Sequence, residues 1–177
     1  MSHTTTRRAI VLLVALAPAA LARKKYKHRK LGFTFELPDG WTAEDAEVGV
    51  TIMPPGVTIS PDREDNAEIY TVWSPQDDQT SEQDYIEGVR ARFRASKIAV
   101  DREGDIERFA LPRKKDGISG VIYTFDFIHP DRKAPYRLRA FAMTTRGRQL
   151  ILVAQGLRDK VSARDAILRQ IAASIYW

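Results

Sequence analysis

The chain has 177 residues, 44% of them apolar, with 28 lysines and arginines against 23 acids and no cysteine. That is enough apolar material for one domain with its own core. The missing cysteine excludes disulfides, zinc–thiolate centres, thiol catalysis and the lipid attachment of a bacterial lipoprotein.

The net charge of +5 points towards nucleic acid only until it is located. Two of the basic residues lie in residues 1–22 and six in residues 23–30, leaving 20 against 23 acids in residues 31–177. The bulk of the chain is therefore mildly acidic, and a nucleic-acid partner is disfavoured.

Residues 1–22 have the form of an export signal. Arg7 and Arg8 make a positive start, Ala9–Ala19 is an apolar run too short to span a bilayer as a helix, and Ala20-Leu21-Ala22 has the small-residue cleavage pattern. Cleavage is expected between Ala22 and Arg23, giving a periplasmic or secreted product; the alternative is a protein tethered to the membrane by an uncleaved signal. The basic residues that follow oppose translocation by the general secretory route. Thr6-Arg7-Arg8-Ala9-Ile10-Val11 resembles a twin-arginine signal, so both routes stay open.

Residues 23–30 read as a basic linker. Arg23, Lys24, Lys25, Lys27, Arg29 and Lys30 either solvate a flexible segment or attach the protein to an anionic surface, such as lipid headgroups or cell-wall polymer.

A single α+β domain is expected over residues 31–177. It opens with an alternating strand, Leu31–Leu37, stopped by the turn Pro38-Asp39-Gly40-Trp41. Trp41 begins a second extended piece. Val48, Val50 and Ile52 alternate with Gly49, Thr51 and Met53, and Val57-Thr58-Ile59 follows Pro54-Pro55-Gly56, as short strands or the arms of one hairpin. Ile69–Trp73 is a further strand.

Ser81 and Asp84 then have capping-box spacing, and Tyr85, Ile86, Val89 and Phe93 mark the buried face of a helix. Gly88 inside it costs about 1 kcal/mol relative to Ala, which predicts close approach to the sheet. Residues 105–111 alternate as a strand, and Arg113–Gly117 form a turn.

Three apolar runs follow, Ile118–Ile128, Tyr136–Thr145 and Gln149–Gly156, which spacing makes an antiparallel meander. A proline-bounded loop, Pro130–Pro135, joins the first two, and Arg146-Gly147-Arg148 is a tight hairpin. Gln149–Gly156 is apolar on both faces and predicts a central strand covered on both sides. Arg137 and Arg139 place the start of the middle strand towards solvent. A second helix is expected from a Ser162/Asp165 capping box, with Ile167, Leu168, Ile171 and Ile175 buried and Asp165 paired with Arg169. The doubly apolar strand favours helices on opposite sides of the sheet.

Gly32-Phe33-Thr34-Phe35-Glu36-Leu37-Pro38-Asp39-Gly40-Trp41 resembles the opening motif of the PsbP-like and DcrB-like family of small exported proteins, and the order of elements is similar over residues 31–177. The resemblance implies an α-β-α sandwich with a central antiparallel sheet of about six strands. It also implies a non-catalytic binding or accessory role.

Chemistry would have to rest on His129, because His28 lies in the basic segment. Asp126 and Asp131 could orient its imidazole, and Ser119 lies on the same strand. Gly117-Ile118-Ser119-Gly120 lacks the form of a nucleophile elbow, so a hydrolase around His129 is the alternative and not the main reading. Asp62, Glu64, Asp65, Asn66 and Glu68 imitate the start of a calcium loop. Ala67 replaces its glycine and Trp73 its bidentate glutamate, so no metal and no cofactor is expected. Trp41, Trp73 and Tyr123 read as core or sheet-edge residues in preference to ligand-stacking ones. The reading is an exported, non-catalytic envelope protein that docks a protein or small ligand at its sheet edge or between sheet and helix.

Overall fold

A computed structural model describes residues 24–46, 49–57, 68–74, 81–111, 117–145 and 148–176. The expected signal and its cleavage site, Thr58 and Ile59, Asp62–Asn66 and Arg146-Gly147 lie outside the described residues.

The sheet is built on the predicted meander. β8 (Ile118–Ile128), β9 (Pro135–Thr145) and β10 (Arg148–Leu157) run antiparallel, with Tyr123 opposite Ala140 and Leu152 opposite Phe141. The loop between β8 and β9 is closed by two bonds of 2.9 Å, from the His129 amide to the Ala134 carbonyl and from the Lys133 amide back to the His129 carbonyl. β10 sits in the middle: its other edge pairs with β5 (Glu68–Trp73), followed by β4 (Gly49–Met53) and β3 (Thr42–Ala46). Beyond β8 lie β6 (Val100–Glu103) and β7 (Glu107–Leu111), both paired with it. The sheet thus has eight strands where about six were expected. The underestimate has a physical source: β6 is exposed at all four positions and β3 mostly polar, so neither edge strand carries an apolar alternation.

Residues 23–30, expected as a linker, supply a strand. β1 (Lys24–Lys27) pairs with β2 (Thr34–Leu37), Tyr26 opposite Phe35. Tyr26 and His28 break the run of charge at a period of two and turn inwards; the Tyr26 ring lies 5.1 Å from Phe35, and His28 is buried. The His28 Nδ1 accepts from the Lys30 and Leu31 amides at 3.1 and 3.0 Å, while Nε2 is 3.0 Å from the Gly49 carbonyl. This ribbon is locked to the end of the chain by reciprocal bonds between Thr34 and Tyr176 of 2.7 and 2.9 Å.

Two apolar clusters lie on opposite faces of the sheet. On one, α1 (Glu82–Ala95) buries Tyr85, Ile86, Val89 and Phe93 against β8 and β9. Its capping box is formed as predicted: the Ser81 hydroxyl accepts from the Asp84 amide at 3.1 Å, and the Asp84 carboxylate accepts from the Ser81 amide at 2.9 Å. Gly88 is exposed, with nothing within 4 Å of the position a Cβ would take, so it makes no close approach to the sheet.

On the other face Phe33, Phe35, Ile122, Phe141, Leu150 and Leu152 pack with α2 (Arg158–Ala163) and α3 (Asp165–Ser174). The single C-terminal helix expected from residue 162 is therefore two. Ser162 lies in the last turn of α2 and turns its hydroxyl back onto the Arg158 carbonyl at 2.5 Å, so it does not cap α3. The Asp165–Arg169 pair is present at 2.9 Å; of the expected stripe Leu168, Ile171 and Ile175 are buried, whereas Ile167 is only partly so.

Candidate functional site

The α1 face is covered unevenly. Along β5 the side chains of Glu68, Tyr70 and Val72 are buried on the α2–α3 side, whereas Ile69, Thr71 and Trp73 are half-exposed on the α1 side. With Val153 and Gln155 of β10 they form the floor of a groove of about 540 Å³, walled by Tyr85, Phe93 and Tyr136. Its rings meet in pairs: Trp73 to Tyr85 is 5.5 Å between centroids and His129 to Tyr136 is 4.7 Å, with the buried Tyr123 ring 5.6 Å behind Tyr85.

Polar groups are mixed into this lining: Thr71, Arg92, Ser96, His129 and Gln155. Burial pushes the Tyr85 phenol up, and the nearby positive charge of Arg92 pulls the other way. The buried hydroxyls of Tyr123 and Tyr136 have no hydrogen-bond partner. His129 also lines the groove, but its Nδ1 is occupied as an acceptor from the Asp131 and Arg132 amides, both at 3.3 Å. This pattern leaves the proton on Nε2.

The groups considered for a reaction at His129 do not converge. Asp126 points to the opposite face of β8, where the Arg137 Nε and Nη2 bond its two oxygens at 2.7 and 2.9 Å. Asp131 meets the imidazole through its backbone. Ser119 lies ten residues back along β8, roughly 30 Å away at about 3.3 Å per residue.

Arg139, expected towards solvent, is 8% exposed. It is drawn in by charge: its guanidinium reaches Asp165 at 2.6 Å, Glu107 at 3.3 Å and the Thr124 hydroxyl at 3.0 Å. Arg169 bonds Glu107 at 2.6 Å, and Arg158 bonds Asp101 at 3.1 Å. Hydrogen bonds from Arg137 hold the Asp126 carboxyl below the usual carboxylate range, and those from Arg169 do the same for Glu107. The arrangement ties α2 and α3 to β6–β9, as a clamp with acids and arginines in balance.

Of the acidic run only Glu68 is described. Its carboxylate is buried, accepts from the Tyr70 hydroxyl and lies 3.7 Å from Arg164. Among the described residues no three His, Asp or Glu side chains are grouped to hold a metal ion. Of the aromatic residues singled out, Trp41 and Tyr123 are buried and Trp73 lines the groove. Arg92 was not marked by the sequence. The signal that could have found the site is the alternation of β5, whose second face is neither polar nor fully apolar.

The basic residues of β1 and its turn occupy a fixed surface. Lys24, Lys25, Lys27, Arg29 and Lys30 are all exposed, with the Lys25 ammonium 4.9 Å from the centre of the Tyr176 ring. Arg23 lies outside the described residues.

No protein-family model matches the sequence, and no curated protein matches it. Among solved structures, the chain is similar to cyanobacterial PsbP (CyanoP) from Synechocystis sp. PCC 6803, at 17% identity over 93% of this chain and 98% of that chain, with a TM-score of 0.49. A second similar structure is PA94 from Pseudomonas aeruginosa, of unknown function, at 11% identity over 84% of this chain and 92% of that chain, with a TM-score of 0.36. A likeness at this level carries neither partner nor chemistry with it.

Proposed function

We propose that the chain is an exported, non-catalytic binding or accessory protein of the bacterial cell envelope. The observation that supports this reading is the groove between α1 and the sheet: aromatic side chains mixed with polar ones, and a histidine whose candidate partners Asp126 and Ser119 lie elsewhere on β8. Such a surface holds a ligand or partner but assembles no acid–base–nucleophile set. On this reading residues 1–22 are an export signal cleaved between Ala22 and Arg23, and an α-β-α sandwich of the PsbP-like kind is what is exported. The exposed lysines of β1, with Arg29 and Lys30, would add an electrostatic contact to an anionic surface.

The test sets two measurements side by side. The protein is used as bait on a solubilised envelope fraction, and it is assayed against a panel of ester, phosphate, peptide and glycoside substrates. The expected result is a partner recovered in stoichiometric amount and no turnover. Turnover that His129→Ala abolishes would defeat the proposal.

A further inference from the structure

The chemistry lining the groove is specific enough to name a ligand class. Its capacity, about 540 Å³, falls in the range of small-molecule sites. Trp73 of β5 and Tyr85 and Phe93 of α1 all line the groove, with the Trp73 and Tyr85 rings in contact at 5.5 Å between centroids. Flat rings pack against such walls in offset or edge-on contact.

The charge is one-sided. Among the described residues that line the groove, Arg92 is a full cation and none is a carboxylate. Arg92 lies one turn along α1 from Ser96, and both line the groove together with Tyr85 of the same helix. His129 contributes an N–H at Nε2 because backbone amides occupy Nδ1. Deeper in the wall, the Tyr136 hydroxyl is buried without a partner, a condition that native proteins rarely keep.

We propose that this groove binds a small aromatic carboxylate, its ring lying in the groove against Trp73, Tyr85 and Phe93 and its carboxylate on the Arg92 guanidinium. A planar fork of N–H groups matches a carboxylate in two parallel bonds, and the rings match the aromatic body. The absence of acids among the described lining residues spares the anion any repulsion, whereas a cationic ligand would meet only Arg92. The assignment rests on the groove being a binding site, as proposed above, and adds the class of molecule it takes.

The test is a titration by NMR with 2-naphthoate and its neutral counterpart 2-naphthamide, following the Trp73 indole N–H resonance. Naphthoate should bind about tenfold more tightly than naphthamide, the difference one charge-assisted contact supplies. Arg92→Gln, on the exposed face of α1, should bring naphthoate down to the affinity of the amide and leave the amide unchanged. Val153→Trp, which fills the floor, should abolish both. Equal affinity for acid and amide, or a naphthoate affinity indifferent to Arg92→Gln, overturns the carboxylate assignment while leaving the groove as a binding site. Tighter binding of decanoate than of naphthoate overturns the aromatic class. No shift of Trp73 with either probe at millimolar concentration overturns the site itself, and the envelope bait experiment then still decides the broader role.

Discussion

The same substitution, Gly to Ala, should have opposite effects at two positions of this chain. Gly88 lies in the interior of α1, exposed, with nothing within 4 Å of an added Cβ. There alanine gains helix propensity and restricts the unfolded chain, so Gly88→Ala should stabilise by about 1 kcal/mol. Gly120 lies in β8, opposite Met143 of β9 and Phe109 of β7. A Cβ there would stand 2.2 Å from the Ala142 carbonyl oxygen, 3.0 Å from the Phe109 ring and 3.1 Å from the Met143 Cα. Two of these are backbone atoms of a paired strand, which cannot swing aside as a side chain would. Overpacking of this kind costs about 1–3 kcal/mol, and a value near 2 is expected. For a domain of this length 1 kcal/mol moves Tm by about 2–4 °C. Gly88→Ala should therefore raise Tm by about 2–4 °C and Gly120→Ala lower it by about 4–8 °C, in calorimetry or urea unfolding with m unchanged. A destabilised Gly88→Ala, or a Gly120→Ala within half a degree of the parent, would refute the packing argument.

Ser81→Ala removes the hydroxyl that accepts from the Asp84 amide, leaving the Ser81 amide to the Asp84 carboxylate, and should cost about 1 kcal/mol, read as a lower urea midpoint at constant m. The Asp126 carboxyl is held low by Arg137, so its stabilisation is complete above the unfolded value near pH 4 and lost as pH falls through the lower folded one. Asp126→Asn should cost about 2 kcal/mol at pH 7 and flatten the decline below about pH 4; an unaltered acid limb would contradict this. His28→Ala leaves the Lys30 and Leu31 amides and the Gly49 carbonyl without their side-chain partner, and amide exchange at residues 30 and 31 should accelerate while β8–β10 stay protected. Replacing Lys24, Lys25 and Lys27 by Gln should weaken sedimentation with anionic vesicles at low salt and leave neutral vesicles unaffected; equal binding by the variant would dismiss the electrostatic contact.

The meander was legible because Ile118–Ile128 alternates over eleven residues between two clusters, and β10 because both its faces are apolar. α1 could be read from four apolar positions at helical spacing and a cap that needs only adjacent residues. Long-range pairing hid the rest. Arg139 looks solvated in its own strand and is buried only because Glu107 and Asp165, 32 residues before it and 26 after, supply its counter-charges. The lysines of β1 dominate a reading by composition, yet Tyr26 and His28 at alternate positions suffice to pair the segment with β2. The groove was half legible: Trp73 could be placed on a strand, but neither the width of α1 nor the place of Arg92 at its rim follows from local pattern.

That width accounts for the groove. A helix is about 10 Å across and strands lie about 4.8 Å apart, so one helix covers two strands. α1 is the helix packed on its face, and its sheet partners are β8 and β9, with Ile151 of β10 at the margin. The opposite face has α2, α3 and the β1–β2 ribbon, enough to close over β4, β5 and β10 as well. On the α1 side β5 and the outer half of β10 are therefore left beyond the helix, and Ile69, Thr71, Trp73, Val153 and Gln155 line the strip. These side chains are too apolar for a surface meant only for water and too mixed for a core. A strand buried on both faces would carry valine or isoleucine at positions 71 and 155; threonine and glutamine there are what a face needs when it must stay dry enough to bind and polar enough to stay soluble when empty.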